Sequence, residues 1–344
     1  MKPAPSLTLL SVIFLIQMGC DAATKLAPEA EIVVEAPNVD VVATLASTEG
    51  PTVDREGNVY FTFGGVTGGR IIKWSNGGGA PRETQPGLPA RPGRLSTFRE
   101  YGAAGLIFDQ RGRLLACERG PHRDQPRVTR TDVSTGELEV LAERYQGKRL
   151  NGPNDLTIDA QGRIYFTDRP RMNPDPDQTG INAVYRIDSN GTIAQILAEP
   201  EIERPNGIVI SPDDKTLYLI EAHIAEGGAR MIRAYDLQPD GTVTNMRVFY
   251  NFYPGRSGDG MTIDSEGNLY VAAGLNLSRG TAETMDTKPG IHVISPEGKL
   301  LHYIPIPEDL ITNCAFGGPD MQTLYVTAGK TLFRVRTQIP GTGR

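Results

Sequence analysis

Residues 157–168 read TIDAQGRIYFTD, which is a short apolar strand, a turn around Ala-Gln-Gly, and a second apolar strand. This strand-turn-strand pattern recurs along the chain. The other copies are TVDREGNVYFTF (52–63), IFDQRGRLLACE (107–118), VISPDDKTLYLIE (209–221), TIDSEGNLYVAA (262–273) and FGGPDMQTLYVTA (316–328). Equivalent positions in the turns are 55, 50, 52, 53 and 54 residues apart, namely Asp54, Asp109, Asp159, Ser211, Asp264 and Gly318. Near-equal spacing over almost the whole chain indicates six copies of one structural unit.

Each unit continues with a second pair of short strands, as in AVYRIDSNGTIAQIL (183–197). Four short strands in a repeat of this length are typical of a β-propeller blade. The sequence therefore predicts an all-β, six-bladed β-propeller with four-stranded blades over residues 39–337. The last unit ends at KTLFRVRT (330–337), one strand short, so we expect the N-terminal strand DVVATLA (40–46) to close the ring. Residues 338–344 are predicted to be a C-terminal tail.

Composition is that of an ordinary soluble globular protein. The chain has 344 residues, 39% of them hydrophobic, which is enough for a sizeable core. Its net charge is −6, and it has no basic block that could follow a phosphate backbone, which argues against nucleic acid as a partner. We expect a monomer that acts on a small molecule.

The N-terminus is predicted to direct export. Lys2 precedes the apolar run Leu7–Ile16, whose length suits a signal peptide and is too short to span a bilayer. Cys20 follows Gly19 at the end of this run, as at a bacterial lipoprotein cleavage site; simple secretion with cleavage near Ala23 is the alternative. Residues 1–20 are thus a predicted signal peptide and residues 21–38 a flexible arm. The expected location is the periplasm or cell envelope, with a possible lipid tether at Cys20.

Polar residues stand five positions before each of the equivalent turn residues in five of the six units. In a propeller the first strand of each blade lines the central channel, so these residues should form a ring around one mouth. Asparagine and acidic residues at strand starts also serve as turn residues, which is the alternative explanation. Carboxylate and amide oxygens without His or Cys suit a hard cation such as Ca²⁺, Mg²⁺ or Mn²⁺. Ca²⁺ is the expected ion, with Mg²⁺, Mn²⁺ or Zn²⁺ as the alternatives. The six positions are Glu49, Ala104, Asn154, Asn206, Asp259 and Asn313.

The sequence resembles a known family at this point. The segments that carry the likeness are STEGPTVD (47–54), RLNGPNDLTID (149–159), ERPNGIVISPDDKTLYL (203–219), GDGMTIDSEGNLYVA (258–272) and TNCAFGGPDMQTLYVT (312–327). Together they are similar to the gluconolactonase, regucalcin and luciferin-regenerating-enzyme family of six-bladed propellers, with LNGPNDL closest to its bacterial gluconolactonase branch. The resemblance implies one divalent cation at the channel mouth, held by Glu49, Asn154, Asn206 and Asp259, the four ligands that we also take from the ring. Asn313 would lie behind them, and we expect Asp155 to be structural.

The resemblance also implies a reaction, the hydrolytic opening of a sugar lactone with Asp259 as the general base. A carboxylate that binds a cation is a weak base, so Asp259 would either deprotonate the attacking water or only position it. Residues at or just beyond the ends of second strands near this mouth are candidate substrate contacts, namely Glu118, Asp168, Glu221 and His223, although a loop role is favoured for His223. Asn151, in the loop before Asn154, is a candidate substrate contact or a turn residue. Bacterial relatives often have His where this chain has Arg119, which leaves the identity of the lactone open.

Two other functions remain compatible with the sequence. The same cation could polarise a phosphoryl oxygen, which would make the protein a phosphotriesterase or organophosphatase. Alternatively, the propeller could be a non-catalytic binding protein braced by the cation, because this fold hosts many functions. The two propeller cysteines, Cys117 and Cys314, lie in apolar strand patterns and are predicted to be unpaired.

Overall fold

The computed structural model describes residues 39–45, 47–64, 69–75, 93–119, 125–170 and 175–343. All of these residues belong to one compact unit, Ala36–Arg344. The expected signal peptide (1–20), with Cys20, and the expected arm (21–38) lie outside the described residues. In the described ranges no helix is long and apolar enough to cross a membrane.

The described residues form β-strands that group into small antiparallel sheets. In chain order the strands are β1 (Asp40–Thr44), β2 (Thr48–Val53), β3 (Val59–Phe63), β4 (Arg70–Ser75), β5 (Arg94–Arg99), β6 (Ala103–Phe108), β7 (Arg113–Glu118), β8 (Arg127–Asp132), β9 (Leu138–Ala142), β10 (Arg144–Tyr145), β11 (Lys148–Arg149), β12 (Pro153–Ile158), β13 (Ile164–Asp168), β14 (Ala183–Ile187), β15 (Ile193–Ala198), β16 (Pro205–Ile210), β17 (Thr216–Ala222), β18 (Arg230–Leu237), β19 (Val243–Asn251), β20 (Gly258–Ile263), β21 (Leu269–Ala273), β22 (Gly290–Ile294), β23 (Leu300–Pro305), β24 (Ile311–Gly317), β25 (Thr323–Ala328) and β26 (Thr331–Arg336).

Six four-stranded sheets correspond to the six predicted blades. Five consist of consecutive strands, β2–β5, β6–β9, β12–β15, β16–β19 and β20–β23, and the sixth has the order β1-β26-β25-β24. The N-terminal strand β1 thus completes the sixth blade, with Asp40 opposite Arg334 and an ion pair of 3.1 Å between them. The predicted six-bladed β-propeller and its closure by the N-terminal strand are confirmed.

The hydrophobic core lies between neighbouring blades. Within the described ranges, buried apolar side chains form six clusters, each of which joins two adjacent blades. Between the first two blades, for example, Tyr60 and Ile71 pack with Leu106 and Leu114, and Tyr60 meets Phe108 edge to face at 5.2 Å. A fully buried side chain of this size contributes about 1.5–3 kcal/mol through removal from water, so the blade interfaces hold the ring together.

The turn between the first two strands of a blade is held by the repeated turn residue. Asp159 accepts hydrogen bonds from the Arg163 backbone (2.9 Å), the Arg163 guanidinium (2.5 Å) and the Tyr165 hydroxyl (3.0 Å). Ser211 has the same place in the fourth blade, where its hydroxyl accepts from the Thr216 amide at 2.9 Å. These side chains satisfy donors that the turn would otherwise leave unpaired, which explains why the pattern repeats.

The predicted C-terminal tail lies against two of these turns. The Pro340 carbonyl accepts a hydrogen bond from the Ser265 amide at 2.8 Å, and the Gly341 amide donates to the Met321 carbonyl at 2.8 Å. Residues 338–343 therefore bridge the turns of the fifth and sixth blades on the side away from the predicted ring.

Candidate active site at the mouth of the channel

The innermost strands all share one irregularity at the predicted ring position. In each of the six blades the pairing between the first and second strands shifts register within two residues of that position, as between Pro153 and Leu156 or between Gly258 and Met261. A bulge of this kind allows two successive side chains to lie on the same face of a strand, whereas strict alternation would place them on opposite faces. The bulge explains how the ring residue and the residue after it can both lie on the channel side.

Three of the predicted ligands are joined by hydrogen bonds. The end of the Asn154 amide that faces the donors of Arg119 and Arg169 is assigned as the oxygen, so its nitrogen donates to Oδ1 of Asn206 at 2.5 Å. Nδ2 of Asn206 donates in turn to Oδ1 of Asp259 at 2.5 Å. These residues come from the third, fourth and fifth blades, and each is on the first strand of its blade. The propeller therefore brings together side chains that are about 50 residues apart in sequence.

Asp259 is held on its other side by an arginine that the sequence did not reveal. Nη2 of Arg256 donates to Oδ2 of Asp259 at 2.5 Å, and Nη1 of Arg256 donates to the Ile311 carbonyl at 3.0 Å. Arg256 is buried, with 5% of its surface exposed. One oxygen of Asp259 is thus fixed by Arg256 and the other by Asn206, so the carboxylate has a single well-defined orientation.

Glu49 brings a second carboxylate to the ring from the first blade. Its Oε2 accepts a hydrogen bond from the Gly50 amide at 2.9 Å. The pKa of Glu49 is raised to about 8, mainly by burial and next by the negative charge of Asp259, whose effect exceeds the opposing effect of Arg119. Asp259 is therefore close enough to disfavour the charge on Glu49.

The donor set fits a hard divalent cation. No cluster of three or more His, Cys, Asp or Glu side chains suited to a metal occurs in the part of the chain that the structure describes, so Glu49 and Asp259 would have to be completed by the amide oxygens of Asn154 and Asn206. All four donors are oxygens, the ligands that Ca²⁺ and Mg²⁺ prefer. A dication would also offset the repulsion that raises the pKa of Glu49.

Asp155 lies next to the ring and is buried, with 7% of its surface exposed. Its Oδ1 accepts from the Leu156 amide at 3.0 Å, in keeping with the predicted structural role. A Cβ on Gly105 would lie only 2.4 Å from that oxygen, so glycine is needed in the neighbouring blade. The pKa of Asp155 is raised to about 7 by burial and by the charge of Asp259, while hydrogen bonds from the Leu156 amide and from Asn313 act in the opposite direction.

Two further arginines reach the ring from the loops after second strands. The amide oxygen of Asn154 accepts hydrogen bonds from Nη2 of Arg119 and from Nη2 of Arg169, the latter at 2.9 Å. Nε of Arg119 also donates to the Pro153 carbonyl at 3.3 Å. Sequence reasoning noted Arg119 only as a departure and missed Arg169. A signal was present, because in both blades the arginine directly follows the acidic residue that ends the second strand, Glu118 or Asp168.

Asn151 and Asp168, proposed from the sequence as substrate contacts, are bonded to each other. Asp168 accepts from the Asn151 amide (2.9 Å), the Asn151 side chain (3.0 Å) and the Gly152 amide (2.6 Å). The Asn151 side chain also bonds Thr179 and the Ile181 carbonyl. Both residues are at most 1% exposed. This geometry favours bracing of the loop before Asn154 over contact with a substrate.

Glu118 and Glu221 have comparable places in the second and fourth blades. Glu118 is fully buried and accepts from Arg99, from Nε of Arg127 at 2.8 Å and from the Thr129 hydroxyl at 3.0 Å. Glu221 is also fully buried and accepts from the Arg204 amide at 2.7 Å. Their oxygens are engaged within the blades, so a bracing role is favoured for these two residues as well.

His223 stands apart from the ring residues in its contacts. Its Nδ1 accepts a hydrogen bond from the Ala225 amide at 3.2 Å, and its carbonyl accepts from Nε of Arg230 at 2.9 Å. A Cβ on Gly228 would lie 2.2 Å from Nδ1, so the imidazole packs tightly on its own loop. These contacts favour a role in shaping the loop after β17 over the substrate contact considered from the sequence.

Comparison with known proteins gives consistent results. The chain is 29% identical over 333 residues to a gluconolactonase of Zymomonas mobilis, which covers 92% of this chain and 86% of that protein. A solved gluconolactonase structure from Xanthomonas campestris superposes with a TM-score of 0.68 at 26% identity, covering 88% of this chain and 90% of the other. The calcium-binding protein regucalcin of Agrobacterium tumefaciens has the same fold, with a TM-score of 0.65 at 19% identity and coverage of 88% and 94%.

The family model described as the SMP-30/Gluconolactonase/LRE-like region matches residues 47–330, which include all six predicted ring positions. The chain belongs to the SMP-30/gluconolactonase/LRE-like family.

Proposed function

We propose that this protein opens sugar lactones by hydrolysis with the help of a divalent cation held at the channel mouth. The observation that carries the proposal is the position of Asp259, a carboxylate that is fixed by Asn206 and Arg256 and is close enough to a second carboxylate, Glu49, to raise its pKa. The chain is a lactone hydrolase in a family whose members include the gluconolactonases of Zymomonas and Xanthomonas.

The proposed mechanism divides the work between the cation and the protein. A bound cation supplies positive charge that polarises the lactone carbonyl and stabilises charge developing on its oxygen. Glu49, Asn154, Asn206 and Asp259 would hold it. Asp259, whose Oδ2 is fixed by Arg256, orients the attacking water or accepts its proton. Because Arg256 is itself anchored on the Ile311 carbonyl, Asp259 keeps this orientation without the substrate.

We propose Ca²⁺ as the resident ion, with Mg²⁺, Mn²⁺ and Zn²⁺ as the alternatives. Four oxygen donors without nitrogen or sulfur favour a hard ion. The structural relative from Agrobacterium is described as a calcium-binding protein.

The proposed function is tested by one purified preparation assayed on two substrate classes. Glucono-δ-lactone, other aldonolactones and a phosphotriester are each incubated with enzyme, and acid or leaving-group release is followed above the spontaneous rate. Asp259→Asn and Asp236→Asn serve as site and surface variants, since Asp236 pairs with Arg247 on an outer strand. We expect lactone opening that Asp259→Asn abolishes and Asp236→Asn preserves. Phosphotriester hydrolysis without lactone opening would contradict the proposal, and so would inactivity on both.

We also propose that the protein is exported to the periplasm or cell envelope and carries lipid on Cys20. The support is the apolar run Leu7–Ile16 followed by Gly19-Cys20. The lipidated protein should partition into detergent, and Cys20→Ser should move it to the aqueous phase. A wild-type protein that starts downstream of Cys20 and stays in the aqueous phase would overturn the lipid anchor.

A further inference from the structure

We propose that Arg119 and Arg169 form a subsite for a second acidic group on the substrate. The preferred lactones would then carry a carboxylate, sulfonate or phosphate away from the lactone carbonyl. This inference rests on the proposed lactone hydrolysis and adds the class of lactone.

The first support is convergence. Both guanidinium groups donate to the same amide oxygen, that of the predicted cation ligand Asn154. They come from different blades, Arg119 after β7 and Arg169 after β13. Gly152 lies beside both, because a Cβ on it would be 3.6 Å from the Arg169 carbonyl and 4.0 Å from Nε of Arg119. Two planar, multi-donor groups therefore stand together at the edge of the catalytic ring.

The second support is that these arginines have no carboxylate partner in the part of the chain that the structure describes. Among the described residues, neither Arg119 nor Arg169 has a carboxylate oxygen within 4.0 Å of its guanidinium nitrogens. Arg256 on the same ring pairs with Asp259 at 2.5 Å, and Arg127 pairs with Glu118 at 2.8 Å. The Asn154 amide oxygen is a neutral acceptor for Nη2 of each arginine, and the Pro153 carbonyl is a neutral acceptor for Nε of Arg119, so neither guanidinium charge is balanced by these contacts. Guanidinium forks match carboxylate and phosphate groups in a two-point geometry.

The balance of charge changes when the ring holds a cation. Glu49 and Asp259 together carry two negative charges, which a divalent ion offsets. Arg119 and Arg169 then face the mouth with two positive charges and no counter-charge from the ring. An anionic group on the substrate would supply that counter-charge in a partly desolvated place, where such pairs are strongest.

The test compares two lactones that differ in one group. Glucono-δ-lactone is neutral, whereas the corresponding glucarolactone bears a carboxylate at the far end; a 6-phosphate lactone tests the other anion chemistry. The quantity measured is the ratio of kcat/KM for the anionic lactone to kcat/KM for the neutral one. We expect the wild type to favour the anionic lactone. Arg119→Gln and Arg169→Gln should each lower this ratio about tenfold to a hundredfold, as loss of a charge-assisted hydrogen bond predicts.

Arg247→Gln is the matched control, because Arg247 pairs with Asp236 on the exposed β19 and should leave the ratio unchanged. Arg169→Lys keeps the positive charge but loses the two-point hydrogen-bonding geometry of the guanidinium, so its kcat/KM ratio should lie between those of Arg169→Gln and the wild type. This variant also serves as the test if Arg169→Gln does not fold. Raised salt should lower the wild-type ratio.

Three outcomes separate the claims. A wild-type enzyme that opens neutral and anionic lactones equally well overturns the subsite and leaves the proposed function standing. Arginine variants that lose both activities in the same proportion also overturn it, because the arginines would then serve the reaction centre. If no lactone is opened, the proposed function fails, and the subsite is then tested by calorimetric titration of cation-loaded protein with glucarate and with gluconate. Tighter binding of glucarate that Arg169→Gln removes supports the subsite. Equal binding of the two acids overturns it.

Discussion

The two ends of strand β12 carry buried aspartates that do different work. At the turn that follows β12, Asp159 accepts three hydrogen bonds from Arg163 and Tyr165 of the same blade. At the channel mouth, where β12 begins, Asp155 follows Asn154, which is hydrogen-bonded to Asn206 of the next blade. The side chain at the turn finds its hydrogen-bond partners within one blade, and an Asp or Ser occupies the equivalent position in five blades. The side chains at the mouth have partners in other blades, and the residue types there differ from blade to blade.

The difference separates stability from function. The role of a side chain that accepts hydrogen bonds only within its own blade can be predicted from the sequence of one repeat, and removing that side chain should lower the stability of the fold. A side chain whose partners come from three blades is positioned by the whole ring, and its loss should damage chemistry while the blades remain. Each prediction below tests one side of this division.

The largest effect is expected at the mouth, for Asp259→Asn. The substitution keeps the size and one oxygen donor but removes the charge, so kcat should fall on the order of 10² to 10⁴ at saturating cation. Glu49→Gln also removes one ring charge, and its loss should be largely rescued by excess cation. Lactone hydrolysis measured against cation concentration distinguishes the two. Equal recovery of both variants would make Asp259 a ligand only.

A smaller effect, on folding, is expected at the turn, for Asp159→Ala. The change leaves the buried hydroxyl of Tyr165 and the partly buried donors of Arg163 without this acceptor, which should lower the free energy of unfolding by about 3 kcal/mol. Asp159→Ser should cost clearly less, because Ser211 fills the same place in the fourth blade. Urea unfolding measures the difference. The activity per folded molecule should be unchanged in both, and a catalytic loss in either would break the division.

The effect confined to the narrowest range of conditions is expected from the titration of Asp168, which braces the loop before Asn154. Burial raises the pKa of Asp168 to about 6, above its ordinary value of 3.8, so the folded protein binds this proton more tightly than the unfolded chain. The resulting stabilisation is complete below about pH 4 and is lost as the pH rises to about 6, by up to about 3 kcal/mol. Asp168→Asn cannot titrate. The unfolding free energy of wild type minus that of the variant should therefore fall between pH 4 and 7, and a constant difference would refute the assignment.

The fold could be predicted from the sequence because its information is local and repeated. The strand-turn-strand pattern around Asp159 recurs six times, and DVVATLA stands where a closing strand is needed. The six blades and the pairing of β1 with β26 followed from these two observations. Cys117 and Cys314 are free and buried in the structure, as their apolar surroundings indicated.

The site could be predicted only in part. The ring positions follow from the repeat, but the bulges that let Asn154 and its successor both face the channel break the two-residue alternation on which strand patterns depend. Arg119, Arg169 and Arg256 reach the ring from loops, where no repeat constrains side-chain direction. Asn151, whose nearness in sequence to Asn154 suggests a substrate contact, donates a side-chain hydrogen bond to Asp168 in the structure.

The central claim is that the oxygens of Glu49, Asn154, Asn206 and Asp259 hold one divalent cation without which lactones are not opened. The most direct measurement is the rate of glucono-δ-lactone hydrolysis by protein whose metal-free state is verified by elemental analysis, followed as Ca²⁺ is added. The account predicts no hydrolysis above the spontaneous rate in the metal-free protein and full recovery as a single site fills. Full activity in the metal-free protein would contradict it.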